Sequence, residues 1–199
     1  MPEQYDLDGA TVRVLNDRGQ IGGAIGTTGG ITTLSGGLTT FTIAGSNYVF
    51  VNGINNAGEV VGYYADASGT HGYLRNSNGS ILTFDVPGAV NTTVANGVND
   101  LGQIAGYYYD GSVSHGYLRG SSGIFLTIDH PALGFPFTTN TYLYGINNAG
   151  TIVGSYGPGR NYAGGFYCYS CRALADRRGL SVLRCCDGCH LPKAMPRRA

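Results

Sequence analysis

The residues richest in chemistry lie near the end of this 199-residue chain: Cys168-x2-Cys171, then Cys185-Cys186-x2-Cys189-His190. Two C-x-x-C pairs can close a tetrahedral zinc site, and Cys186-Asp187-Gly188-Cys189-His190 also matches the attachment pattern of a c-type haem. Against haem, only nine residues follow His190, and no helical segment surrounds it to build a pocket or supply a second ligand. The composition changes at the same place. Glycine falls from 32 in the first 167 residues to 2 in the last 32, while the chain's single Lys and most of its Arg gather there. The simpler expectation is that 168–199 is a non-repeat tail, out of frame from about residues 167–171 or disordered, holding neither metal nor cofactor. Leu174, Leu180, Val182 and Leu183 leave room for at most one short helix over 173–183.

The remaining candidates recur. His71 and His115 open matching His-Gly-Tyr steps, and Asp85 and Asp129 follow each at the same distance. A shared metal needs its nitrogens about 2 Å from one ion, which equivalent positions of successive repeats reach only near an axis. Each His therefore reads as structural, hydrogen-bonded to a turn, and each Asp as a cap before Pro. An acid/base pair would break a repeat rather than follow it. No catalytic or metal residue is assigned, and a binding site stays undefined. Gly19-Gln20-Ile21-Gly22-Gly23 lacks the Lys and following helix of a phosphate loop.

What must position these residues is a sentence of sequence written four times. Leu15-Asn16-Asp17-Arg18-Gly19 recurs as Ile54-Asn55-Asn56-Ala57-Gly58, Val98-Asn99-Asp100-Leu101-Gly102 and Ile146-Asn147-Asn148-Ala149-Gly150, at steps of 39, 44 and 48 residues between glycines. Asn and Asp tolerate left-handed backbone and Gly supplies positive φ, so each copy is a hairpin turn. Around it, β-formers fall into four short runs per repeat. In the third copy these are 92–99, 103–110, 115–119 and 124–129, separated by Gly, Asn, Asp and Ser. Neither face of Val60–Ala65 is polar, so the sheet is covered on both sides. Such a meander, repeated every 40 or so residues, predicts an all-β, propeller-like fold of about four blades. The mid-strand glycines Gly62, Gly106 and Gly154 are expected where one blade presses on the next.

The repeat domain is read as 4–167, with blades near 10–45, 47–89, 91–133 and 140–169. Tyr5-Asp6-Leu7-Asp8-Gly9 resembles the fourth-strand end Phe84-Asp85-Val86-Pro87-Gly88, so 4–8 offers a closing strand for the last blade. A small closed ring and an open fragment of a larger propeller both remain open at this point. The insertion His130–Thr141 is the one irregular loop.

The unit G-[IV]-N-[ND]-x-G-x-[IV]-[VA]-G-[YS], then His-Gly-Tyr-Leu and Thr-[FI]-Asp-x-Pro, resembles the bacterial extracellular HAF repeat over roughly 5–167. The resemblance implies a propeller-like protein of the cell envelope or exterior, and it implies no reaction. The first and fourth copies depart from the His step, with Gly29-Gly30-Ile31 and Gly164-Gly165-Phe166.

Bulk properties bound the rest. The net charge of zero combines a body of five basic and ten acidic side chains with a tail of seven basic and two acidic ones. The body's scattered Arg residues exclude a nucleic-acid surface. No run approaches the roughly 18 apolar residues of a membrane span. Met1–Asp6 lacks the basic and apolar regions of a secretory signal, so either the protein is not exported or its true start lies elsewhere. The expected function is a non-catalytic extracellular or cell-surface repeat protein that binds glycan or protein. The alternative is a hydrolase or lyase with its site at the mouth of the propeller channel.

Overall fold

Thr, Val, Ile and Tyr in runs of four to seven residues, punctuated by Gly and Asn, make short strands and nothing else. The computed structural model describes residues 10–33, 36–129 and 140–157, with the backbone alone of three further strands. Blade 1 contains β1 (Ala10–Leu15), β2 (Gln20–Ile25), β3 (Thr28–Thr33) and β4 (Gly36–Phe41). Blade 2 contains β5 (Tyr48–Ile54), β6 (Val60–Ala65), β7 (Thr70–Arg75) and β8 (Ile81–Phe84). Blade 3 follows with β9 (Thr93–Val98), β10 (Ile104–Tyr109), β11 (Ser114–Arg119) and β12 (Phe125–Ile128). Blade 4 shows three strands, β13 (Asn140–Ile146), β14 (Ile152–Gly157) and β15 (Gly164–Cys168). Each is an antiparallel meander in sequence order. The protein is all-β and propeller-like. Among the described residues no helix is long and apolar enough to cross a membrane.

The first strands of the blades, β1, β5, β9 and β13, follow one another around the axis. No comparable packing joins β13 back to β1, so the described blades form an open arc. The closing strand expected at 4–8 lies outside the described residues, as does 130–139 of the irregular insertion. The tail corrects one expectation. Where the apolar residues left room for at most one short helix over 173–183, two antiparallel strands stand, β16 (Cys171–Ala175) and β17 (Ser181–Cys185), with Cys171 opposite Cys185 in register. Val182, β-branched, suits an extended strand better than a helix turn. Cys186, Cys189 and His190 lie outside the described residues.

Apolar layers fill the spaces between blades. Val49, Val51, Val60, Tyr64 and Tyr73 of blade 2 pack on Val14, Ile31 and Phe41 of blade 1. Ala95, Ile104, Tyr108 and Tyr117 of blade 3 pack on Val61, Leu74 and Phe84 of blade 2. Leu143 and Ile152 of blade 4 meet Ala105, Leu118 and Ile128 of blade 3. Arg75 lies over the Phe41 ring at 5.2 Å and Arg119 over Phe84 at 5.2 Å, a cation–π contact repeated at two junctions.

Gly62 and Gly106 of the second strands have a different cause from the one expected. A Cβ at Gly62 would overlap the Phe50 carbonyl oxygen and crowd the Tyr73 hydroxyl, and one at Gly106 would overlap the Val94 carbonyl and the Tyr117 ring. All of these neighbours belong to the glycine's own blade. The tyrosine lies across its sheet, and Tyr73 donates its hydroxyl to the Phe50 carbonyl at 2.9 Å. Blade-to-blade crowding falls instead on the first strands. A Cβ at Gly53 would sit 3.2 Å from the Gly97 Cα, and one at Gly97 would sit 3.0 Å from the Gly145 Cα.

Candidate functional site

Three places gather the polar side chains. The first is the ring of turns at one end of the axis. Within each turn the leading Asn works locally. The Asn16 Oδ1 accepts the N–H groups of Arg18 (3.0 Å) and Gln20 (2.9 Å), and Gly19 closes the turn at φ 71°. The turn expectation is correct but incomplete, because the amide nitrogen of the same Asn reaches the next blade. Asn16 Nδ2 donates to the Asn55 carbonyl (2.8 Å), Asn55 Nδ2 to the Asn99 carbonyl (3.0 Å) and Asn99 Nδ2 to the Asn147 carbonyl (3.1 Å). The second amide hydrogen goes to the residue four places on, Gln20, Glu59 or Gln103.

The second residue of each turn makes a parallel ladder. The N–H of Asp17 donates to Asn56 Oδ1 (3.0 Å), that of Asn56 to Asp100 Oδ1 (2.7 Å) and that of Asp100 to Asn148 Oδ1 (2.8 Å). Asn56 Nδ2 bridges both carboxylates, Asp17 at 2.9 Å and Asp100 at 3.1 Å. The Asn56 N–H holds the Asp100 carboxyl below its usual range; burial opposes this, and the Asn148 and Asn56 amides and Arg18 reinforce it. Together the turns surround a cup of about 190 Å³ with Leu15, Ile54, Val98 and Ile146 beneath the polar rim. A second axial layer comes from β-bulges, whose extra residues are Arg13, Asn52, Asn96 and Tyr144. Asn52 Nδ2 donates to the Ala95 carbonyl (3.1 Å), and Asn96 Nδ2 to the Leu143 carbonyl (2.7 Å).

The second place is the pair of histidines. His71 Nδ1 meets the Asp85 carboxylate at 2.9 Å, and its Nε2 meets Asp66 at 3.3 Å and the Ser68 hydroxyl at 2.9 Å. His115 repeats this with Asp129 (2.8 Å) and Asp110 (3.1 Å). The imidazoles lie against Tyr64 and Tyr108, ring centroids 5.1 and 5.2 Å away. The turn contact was expected. The role of Asp85 and Asp129 is corrected: they grip the histidine rather than cap a turn before Pro, joining the fourth strand to the loop between the second and third.

Ser68, His71 and Asp85 have the order of a hydrolytic triad, but their chemistry is different. A base must keep one nitrogen ready for a proton, and here a carboxylate stands at each nitrogen. Burial pulls the His71 value down, but the hydrogen bonds and charges of Asp85 and Asp66 outweigh it and favour imidazolium. Ser68 Oγ also donates to Asp66 Oδ1 at 2.6 Å. Among the described residues no three His, Cys, Asp or Glu converge to hold a metal ion.

The third place was not singled out as a site from sequence. Tyr48, Phe50 and Tyr63 cluster on blade 2, at the end of the strands remote from the turns. Phe50 stacks on Tyr63 with ring centroids 4.8 Å apart and planes at 15°, and Tyr48 stands edge-on to Phe50 at 5.2 Å. Arg13 from blade 1 lies over Phe50 at 5.9 Å. Tyr107 and Tyr142 form an edge-on pair at 4.9 Å across the junction of blades 3 and 4. Tyr108, by contrast, is core. The alternation of Tyr63 and Tyr64 on opposite faces was legible; that one of them meets rings from other strands was not.

No protein-family model matches the chain, and no curated protein matches it either. Among solved structures it is similar to a streptogramin B lyase at 13% identity and a TM-score of 0.49, over 75% of this chain and 49% of that one. A catalytically inactive virginiamycin B lyase from Staphylococcus aureus with quinupristin gives 13% identity and a TM-score of 0.49, over 76% and 51% of the two chains. The chain spans about half the length of each.

Proposed function

We propose that the protein is a non-catalytic, glycan-binding repeat scaffold of the bacterial cell envelope or exterior. The observation that carries the reading is the Tyr48–Phe50–Tyr63 cluster with the Arg13 guanidinium over it. Aromatic faces on a rigid sheet stack against sugar rings, and a guanidinium beside them donates to hydroxyl groups. The extracellular location rests on the resemblance to the HAF repeat. The alternative, a hydrolase or lyase at a channel mouth, falls on the insertion His130–Thr141, of which 130–139 lie outside the described residues. Among those described, the polar groups at an axial mouth are those of the cup of turns. Both carboxylates there are already bonded by Asn56, which suits a structural ring better than a proton shuttle.

Glycan-array screening followed by calorimetry tests the proposal. Wild-type protein should bind at least one class of neutral or acidic glycan, and Tyr63→Ala should lose tenfold or more of that affinity while His71→Gln keeps it. Blank arrays with well-folded protein, or equal binding by Tyr63→Ala, would overturn it.

A further inference from the structure

The two ends of the arc are complementary to each other, and the geometry points to a second copy of this chain as the occupant of both. We propose a head-to-tail dimer in which blade 4 of each copy packs on blade 1 of the other, making one ring of eight blades.

The internal junctions show what each end lacks. Val51 and Ile54 of blade 2 are 0% and 9% exposed beneath blade 1, while their equivalents in blade 1, Val12 and Leu15, are 54% and 68% exposed. At the other end Val61 of blade 2 is 0% exposed against blade 3, and its blade 4 equivalent Val153 is 46% exposed. The face of blade 1 is a shallow apolar groove, with Gly30 where blades 2 and 3 carry Tyr73 and Tyr117. Both open faces are therefore the two halves of a junction that the chain already makes three times.

The polar ladder agrees in direction and in phase. Asn16, Asn55 and Asn99 are buried with their amides on the next blade, whereas Asn147 is exposed and its Nδ2 has no acceptor among the described residues. At the opposite end, among the described residues, the Asn16 carbonyl accepts only its own turn N–H, from Gly19. Asn147 of one copy thus matches Asn16 of the next, donor to acceptor. The second ladder alternates Asp17, Asn56, Asp100, Asn148, so the new junction sets Asn148 against Asp17. That is the pairing Asn56 makes with Asp100 through its N–H at 2.7 Å and its amide at 3.1 Å. No two carboxylates become neighbours. Heterologous contacts of this kind close a ring or grow without limit, and eight blades lies within the range that propellers close.

Sedimentation velocity and light scattering on the full chain across a wide concentration range test this. The expected species has twice the chain mass. Val12→Asp and Val153→Asp, both at exposed sites, should each fold, by circular dichroism and thermal unfolding, yet remain monomeric. An equimolar mixture of the two should recover the dimer, because one junction is then wild type on both sides. A wild-type chain that stays monomeric, single variants that still dimerise, or a mixture that stays monomeric would overturn the arrangement. Growth of wild type into long polymers would overturn the eight-blade ring.

Discussion

The side-chain amide of Asn55 donates to the main-chain carbonyl of Asn99, 44 residues on, at 3.0 Å, while its Oδ1 accepts the Glu59 N–H of its own turn at 2.9 Å. One side chain shapes a hairpin and locks two blades. The two tasks use different atoms, so they can be separated.

Asn55→Asp keeps the oxygen that shapes the turn and removes the donor to Asn99. A buried carbonyl left without its partner costs about 1–3 kcal/mol. Asn55→Asp should cost at least as much as Asn55→Ala, because its buried carboxylate also faces that of Glu59, which the amide held at 2.6 Å. Asn147→Asp should be near neutral where the chain is monomeric, since Asn147 is exposed and its amide has no acceptor among the described residues. Urea unfolding of the three variants checks the order.

Gly106→Ala should be among the most damaging single changes in the molecule. The added methyl meets the Val94 carbonyl and the Tyr117 ring, both fixed in the same sheet. Overpacking against backbone costs about 3 kcal/mol or more. Gly36→Ala, with open space around it, serves as the control and should change stability by less than about 1 kcal/mol.

The histidine clasps give the protein a pH window. For His71 and His115, burial lowers the pKa but the paired aspartates outweigh it, so the folded value lies above the ordinary 6.5. Their contribution is complete below about pH 6.5 and is lost as pH climbs through the raised folded value. Asp110 behaves in the opposite sense. The Val113 N–H, His115 and the Ser112 N–H hold it at about 2, so its contribution is present above about 3.8 and lost as pH falls toward 2. Stability from the clasps is therefore greatest between these limits. Imidazole titration by NMR should show both histidines titrating above 6.5, and His71→Gln with His115→Gln should flatten the alkaline limb of a stability–pH curve.

Arg119 and Phe84 should couple across the junction of blades 2 and 3. A double-mutant cycle with Arg119→Met and Phe84→Leu is expected to give about 0.5–1 kcal/mol of interaction, with a similar value for Arg75 and Phe41. A coupling indistinguishable from zero at both pairs would remove the cation–π account.

The strands were legible because their signals are local. Ser114–Arg119 and Phe125–Ile128 fall within one residue of where β-formers and turn residues placed them. The four hairpin turns were legible for the same reason, since Gly58 and Gly102 sit at φ 82° and 71° as an Asn-x-x-Gly turn requires. Relations between blades were not. Asn55 looks the same in sequence whether or not its amide reaches Asn99, and Arg119 gives no local sign that it covers Phe84. Gly62 was recognised as a place of close approach, but the neighbour, Tyr73 of its own sheet, depends on register. The clasp of His71 by Asp85 needed a pairing of the third strand with the fourth that fixes both on one side.

The alternation of Asp17, Asn56, Asp100 and Asn148 also sets a rule for how such a gene can change length. Every junction sets a leading Asn amide on the carbonyl of the next turn, so copying or deleting a whole unit keeps that contact. Parity still matters. Removing the single unit that carries Asn56 would bring Asp17 against Asp100, two carboxylates with no amide between them, whereas removing it together with a neighbour restores the order. Duplications and losses in this lineage should therefore persist more readily in pairs than singly.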